Sequence, residues 1–130
     1  MLIALLVISI GLLGLAGMQN VSLQYNYSSY QRTNANNMAY DIADRMRANR
    51  EAALGGRYNI GFGEAPTVGG VAGDDLSQWL NAVQTTLPDG QASVEVRNNG
   101  RARVRVRWLD DRTDDDADDQ TTTFTLRTRL

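Results

Sequence analysis

The apolar and polar positions divide the chain into stretches with different periods. Residues 2–18, LIALLVISIGLLGLAGM, form an apolar run in which Ser9 is the only polar side chain. Polar residues return at Gln19, but neither proline nor glycine appears again before Gly55. Within that span Ala35, Met38, Ala39, Ile42 and Met46 recur at spacings of three and four. They share one helical stripe, with Asn34, Asn37, Asp41, Arg45 and Arg47 largely off it. Asp41 with Arg45, and Asp44 with Arg47, add helix-surface pairs of about 0.2–0.5 kcal/mol each. The two stretches therefore predict one continuous helix from the N-terminus to about Leu54, ended by Gly55-Gly56. At 1.5 Å per residue it makes a rod of roughly 80 Å, far longer than a bilayer is thick. It is greasy all round at its start and amphipathic at its end, the shape of a subunit anchored at one end and capped by a domain at the other.

Residues 55–73 hold seven glycines and Pro66 and read as an irregular loop. Gly61-Phe62-Gly63 within it is not a phosphate loop, because the chain has no lysine and no strand precedes it. Asp74 or Asp75 then offers an N-cap, and Leu76, Trp79, Leu80, Val83 and Leu87 line one face of a short helix, 75–87, stopped by Pro88-Asp89-Gly90. Its apolar face, led by Trp79, predicts that it covers a sheet. Ala92, Val94 and Val96 alternate with Ser93, Glu95 and Arg97. Ala102, Val104, Val106 and Trp108 alternate with Arg101, Arg103, Arg105 and Arg107.

Parity fixes the turn between these strands, because directly opposed residues of an antiparallel pair lie on the same face. A two-residue turn at Asn99-Gly100 sets Val96 against Arg103 and mixes the faces. A three-residue loop, Asn98-Asn99-Gly100, sets Val94 against Val104 and Glu95 against Arg103, with Gly100 left-handed. A third strand follows, with Phe124, Leu126 and Leu130 inward and Thr123, Thr125, Arg127 and Arg129 outward. The expected organisation is α+β. The greasy half-helix 1–18 and amphipathic half-helix 19–54 carry a head, 55–130, with strands at about 92–97, 101–109 and 121–130.

The chain has 130 residues and a formal net charge of -2, which hides a segregation. All thirteen basic residues are arginine, none precedes Arg32, and seven of the fifteen acids fall within 110–119. There is no cysteine, hence neither a disulfide nor a thiolate site, and no histidine, the commonest general base and metal ligand. Most routes to catalysis are closed, so neither an enzyme nor a cofactor is expected. Arg101, Arg103, Arg105 and Arg107 form a ladder on one exposed face, with no aromatic among them, which weakens single-strand stacking. The ladder reads as a solvated face neutralised by nearby aspartates or as a surface for an acidic protein partner; nucleic acid is not an expected partner. Asp114, Asp116 and Asp118 have the spacing of the first calcium ligands of an EF-hand, but Asp119 stands where its glycine belongs and Thr125 where its glutamate belongs. Paired carboxylates on an exposed loop lack the burial that a glycosidase acid needs.

For the apolar run three readings compete. A cleaved signal peptide lacks its basic start here, although Gly14-Leu15-Ala16-Gly17 imitates a cleavage site. A buried core helix needs a larger protein around it. A membrane anchor fits best, although a span wants about 20 apolar residues. Its membrane or filament-core positions are Leu2, Ile3, Leu5, Leu6, Val7, Ile8, Ile10, Leu12, Leu13 and Leu15. Tyr25, Tyr27 and Tyr30 follow, suited equally to the membrane boundary and to packing in a filament. Gly11, Gly14 and Gly17 cost up to about 1 kcal/mol each against alanine, marking where the helix loosens or where another helix packs closely.

A greasy helix running on into an amphipathic half, a glycine-rich connection and a small antiparallel sheet resemble the type IV pilin fold. LIALLVISIGLLGLAGMQ resembles in particular the N-terminal helix of the PilV group of minor pilins. That group also tends to show a tryptophan helix ending in a Leu-Pro-x-Gly-like turn, here Trp79 to Leu87-Pro88-Asp89-Gly90. The resemblance implies a structural role: a single pass of the inner membrane with the head in the periplasm, transfer into a growing pilus fibre, and a place in the initiating tip complex. The implied partners are other minor pilins, the major pilin, a tip adhesin and, for the full-length precursor, the prepilin peptidase. The family's leader, its methylated phenylalanine and its glutamate are absent. Met1 falls just after the expected glutamate, so the resemblance implies a longer gene product than the chain as written, which enters the membrane but is neither processed nor assembled. The disulfide that closes a C-terminal loop in many pilins is also absent. Two alternatives are a minor pseudopilin of type II secretion and a single-span, membrane-tethered binding module using the arginine face.

Overall fold

The computed structural model describes residues 1–110 and 120–130. Helix α1 spans Leu2–Ala48, the one-turn α2 Arg50–Leu54 and α3 Gly70–Thr86. Strands β1 (Gln91–Val96), β2 (Arg101–Leu109) and β3 (Thr121–Arg129) form one antiparallel sheet in the order β1-β2-β3. The class is α+β: a long N-terminal helix with a second helix against one face of a small sheet.

The two halves of α1 differ in surroundings. Every residue from Met1 to Tyr27 is exposed, and the first buried one is Ser28. From there the stripe works as its spacing predicts, with Ala35, Ala39, Ile42 and Met46 fully buried, Ala43 added and Met38 partly buried. Both expected surface pairs form, Arg45 to Asp41 at 3.2 Å and Arg47 to Asp44 at 2.6 Å. The helix is not continuous to Leu54, however. Asn49 leaves helical geometry at φ -118°, ψ 50°, and α2 restarts beyond it. The Asn49 side-chain amide donates to the Tyr58 hydroxyl at 3.3 Å, an alternative that favours leaving the helix.

Helix α3 begins at Gly70, capped by Gly69, rather than at 75 with an aspartate cap. Ala72 and Gly73 are buried, and a β-carbon on Gly73 would sit 2.0 Å from the Val68 carbonyl oxygen. The preceding loop thus folds down onto the first turn, and this close approach extends a helix that glycine propensity argues against. Leu76, Trp79, Leu80, Val83 and Leu87 are buried as expected. The Trp79 indole N–H donates to the Met38 carbonyl at 2.8 Å, joining α3 to α1.

The hairpin register is the one parity requires: Val94 opposes Val104 and Glu95 opposes Arg103. Arg97 and Arg101 close the loop, and Gly100 has φ 76°. The apolar rows of β1 and β2 are buried, while Phe124, Leu126 and Leu130 of the third strand are only partly so. The outer edge of β1 is covered by Ile60, which exchanges backbone hydrogen bonds of 3.0 and 2.9 Å with Val94, and by Asn59, whose side-chain oxygen accepts from Val96 N–H at 2.7 Å. Such pairing blunts an edge that would otherwise template further strands.

Side-chain bonds at both ends set the sheet along α1. At one end Trp108 Nε1 donates to Gln31 Oε1 at 3.1 Å and Ser28 Oγ to Asp110 Oδ2 at 3.1 Å. At the other, Arg47 Nη2 donates to Thr128 Oγ1 at 2.7 Å. The 109–121 end of the sheet therefore lies beside the start of the packed half of α1, and the 101–129 end beside its last turn.

Candidate functional site

Two surfaces stand out, one apolar and one cationic. The first is the bare half of α1. Leu2, Ile3, Leu5, Leu6, Val7, Ile8, Ile10, Leu12, Leu13 and Leu15 are all among its exposed large apolar side chains. The helix is long and apolar enough to cross a membrane, and among the described residues nothing buries that stretch. An apolar surface of this extent is far above the few hundred Å² that a soluble monomer tolerates. Tyr25, Tyr27 and Tyr30 are exposed where this half meets the head.

The second surface is the sheet face turned away from the helices. The expected ladder lies on it, but Arg103, Arg105 and Arg107 are half-buried, and only Arg101 is fully exposed. Their partners come from β1. Arg103 meets Glu95 at 3.5 Å, Arg105 Nε donates to Ser93 Oγ at 3.0 Å, and Arg107 donates through Nε and Nη2 to Gln91 Oε1, the first at 2.9 Å. The ladder also has an aromatic neighbour, contrary to the expectation from alternation. Phe62, on the glycine-rich loop, lies under the Arg105 and Arg107 guanidinium groups, 4.9 and 4.1 Å from its ring centroid. Such stacking contributes about 0.5–1 kcal/mol per pair at exposed sites. It holds the upper two arginines flat against the protein.

The other end of the face is unlike this. Register sets Arg101 directly opposite Arg129 and Arg103 opposite Arg127. Arg97 closes the hairpin beside them. These five arginines and Glu95 line a shallow hollow of about 730 Å³. Like charges directly opposed across strands are destabilising. Glu95 is the only carboxylate ion-paired on this face among the described residues, 3.1 Å from Arg97 and 3.5 Å from Arg103. Its hydrogen bond from Arg97, with the charges of Arg103 and Arg105, holds its carboxyl below the usual range. Among the described residues, Arg101, Arg127 and Arg129 have no ion pair at all.

Alternation in a single strand revealed the ladder but not the cluster, since the β3 register could not be reached by parity across the long 110–120 connection. Arg127 and Arg129 were legible as outward-facing, though not as the partners of Arg103 and Arg101. Phe62 left no sequence signal, because its place depends on the Ile60 bridge to β1.

A third group lies between the helices. Tyr58 O–H donates to Asp75 Oδ2 at 2.6 Å, and Arg45 Nη1 reaches Asp75 Oδ1 at 3.1 Å. Burial, reinforced by the bond to Asp75, raises the Tyr58 phenol above its ordinary pKa. The group binds α1, α3 and the connecting loop together, and it takes up Asp75, one of the two aspartates expected to cap α3. No cluster of metal-ligating side chains occurs among the described residues. The calcium spacing at Asp114, Asp116 and Asp118 lies outside them, as do the aspartates expected to neutralise the ladder, apart from Asp110.

Asp110 is buried and accepts from Ser28 and from Thr122 Oγ1 at 3.4 Å. No known protein family, curated protein or solved structure matches this chain.

Proposed function

We propose that the chain is a membrane-anchored filament subunit of the type IV pilin kind, acting structurally as a minor pilin that initiates assembly and sits near the fibre tip. The observation that carries this reading is α1, a single helix exposed from Met1 to Tyr27 and built into the head from Ser28 onward. The apolar residues 2–18 make about 26 Å of rod at 1.5 Å per residue, close to the hydrocarbon core of about 30 Å, and the exposed residues 19–27 carry the helix on to the head. Lipid covers the apolar run in the inner membrane, with the head in the periplasm, and the corresponding helices of other minor pilins and the major pilin cover it in the fibre. The resemblance of residues 2–19 to the PilV group, and the tryptophan helix that runs into Leu87-Pro88-Asp89-Gly90, support the same reading.

The test is recovery in sheared surface fibres. An epitope inserted in the chromosomal gene at the exposed Asn98-Asn99 turn should appear in the sheared fraction and disappear from it when the filament machinery is deleted. Retention of all the protein in the membrane fraction of filament-bearing cells would overturn the proposal. The open end of the arginine face favours a second reading, a single-span tethered module that binds an acidic ligand, and that outcome would bring it forward.

A further inference from the structure

We propose that the arginine-lined end of the sheet, at Arg97, Arg101, Arg103, Arg127 and Arg129, receives the acidic 111–119 segment of a second copy of this chain. The inference deepens the filament-subunit reading and rests on it for the presence of neighbouring copies. The receiving side is a net-positive hollow whose two rows of directly opposed arginines repel each other and whose one ion-paired carboxylate is Glu95. An anion placed there removes a cost that the isolated head bears. The donating side is evident from composition, since residues 111–119 hold six aspartates against one arginine.

Geometry narrows the occupant. The acidic segment leaves β2 after Leu109 and rejoins at Thr121, at the far end of the sheet from Arg101 and Arg129. Leu109 and Arg101 are eight residues apart in one strand, roughly 26 Å at about 3.3 Å each. The segment's flanking residues Asp110 and Gln120, hydrogen-bonded to each other, are held at that end, away from the Arg101 and Arg129 of their own chain. Anionic lipid is no better placed. The hollow lies beside Arg47, and the head begins at Ser28. The intervening helix is roughly 28 Å at 1.5 Å per residue, several Debye lengths of about 8 Å. Single-stranded nucleic acid would bring bases to stack, and the ring on this face, Phe62, already lies under Arg105 and Arg107.

A second copy shifted along the α1 direction meets these conditions. The 109–121 end of its sheet comes against the 101–129 end of the first. Such a contact joins two different surfaces, so it repeats without closing and builds a line of heads, as a filament requires.

The experiment uses the full chain in nanodiscs of zwitterionic lipid, one copy per disc, and a fluorescein-labelled peptide of residues 111–119. At low salt the peptide's anisotropy should rise saturably, and the affinity should fall steeply as salt shortens the Debye length from about 30 Å to about 3 Å. Arg101→Glu with Arg129→Glu should weaken binding about tenfold or more. Arg101→Gln with Arg129→Gln should also weaken it, and this variant relieves the repulsion and so keeps the head folded. Arg32→Glu changes the net charge as much as the glutamine pair, at an exposed site near Ser28 at the other end of the packed half of α1, and should leave binding within about twofold. Absence of binding by the unmodified chain, equal loss in the Arg32→Glu control, or equal binding of a peptide with every aspartate changed to asparagine would each overturn the proposal. So would binding of heparin at these arginines without binding of the peptide. Recovery in sheared fibres without peptide binding would overturn this contact alone, whereas peptide binding by a chain absent from fibres would overturn the filament reading.

Discussion

The two halves of α1 are equally helical, and they are held by opposite means. From Ser28 onward, small and apolar side chains at three- and four-residue spacing are covered by α3 and the sheet, and polar side chains face outward. Before it every residue is exposed, and as far as Met18 apolar side chains surround the whole circumference. The packed half is stabilised by this chain's own core, so a substitution there should register in head stability. The bare half needs a cover from outside the chain, so a substitution there should register in where the protein resides. Helix formation by itself does not distinguish the two.

The largest expected effect tests the bare half. Leu12→Arg with Leu13→Arg puts two charges near the centre of the apolar run, at roughly 2.5–3.5 kcal/mol each on an insertion scale, about 5–7 kcal/mol together. Membrane fractionation should show loss of insertion, while near-ultraviolet circular dichroism of Trp79 and Trp108 stays unchanged. A disturbed tryptophan signal would mean that the halves are coupled.

In the packed half, Trp79→Ala removes the indole that joins α3 to Met38 of α1 and should cost about 3–5 kcal/mol in denaturant unfolding of the head. Insertion should be unaffected. A loss below about 1 kcal/mol would place this face outside the core.

A smaller effect comes from the Tyr58 group at the end of the packed half. The folded pKa of Tyr58 lies above the unfolded value of about 10. Its contribution is therefore complete below about pH 10 and is lost as pH rises through the raised value. Tyr58→Phe should remove that alkaline loss and cost about 0.5–1.5 kcal/mol at neutral pH. An unchanged alkaline profile in the variant would assign the loss to another group. Smallest of all, Asp44→Ala breaks an exposed pair with Arg47 and should cost under about 0.5 kcal/mol, less in high salt.

Local patterns were the legible ones. The stripe on α1, the apolar face of α3 and the β1–β2 register all follow from periodicity and parity within short spans, and the structure has each of them. What escaped the sequence depended on distant packing. Gly70 to Gly73 are helical because Val68 folds onto them, against their propensity. The helix stops at Ala48 because Asn49 turns to Tyr58. The arginine ladder widens into a cluster because β3 pairs at one particular register after a connection too long for parity to decide. The candidate site was thus half visible, with Arg101 and Arg103 legible as one row and Arg127 and Arg129 completing it only in three dimensions.

The bonds that set the sheet along α1 also carry a consequence for biosynthesis. Ser28 and Asp110 are 82 residues apart, Gln31 and Trp108 are 77, and Arg47 and Thr128 are 81. Closing a loop of that length costs about 4 kcal/mol before any constant, whereas the β1–β2 hairpin closes across a few residues. Helix α3 and the hairpin can form as they are made, but α1 gains its last partners only when β3 exists. At about 5–20 residues per second on the ribosome, the first element made waits roughly 4–16 s for the last. Throughout that interval its bare half and its unfilled stripe are both uncovered, and a cover for the first can act before the head buries the second.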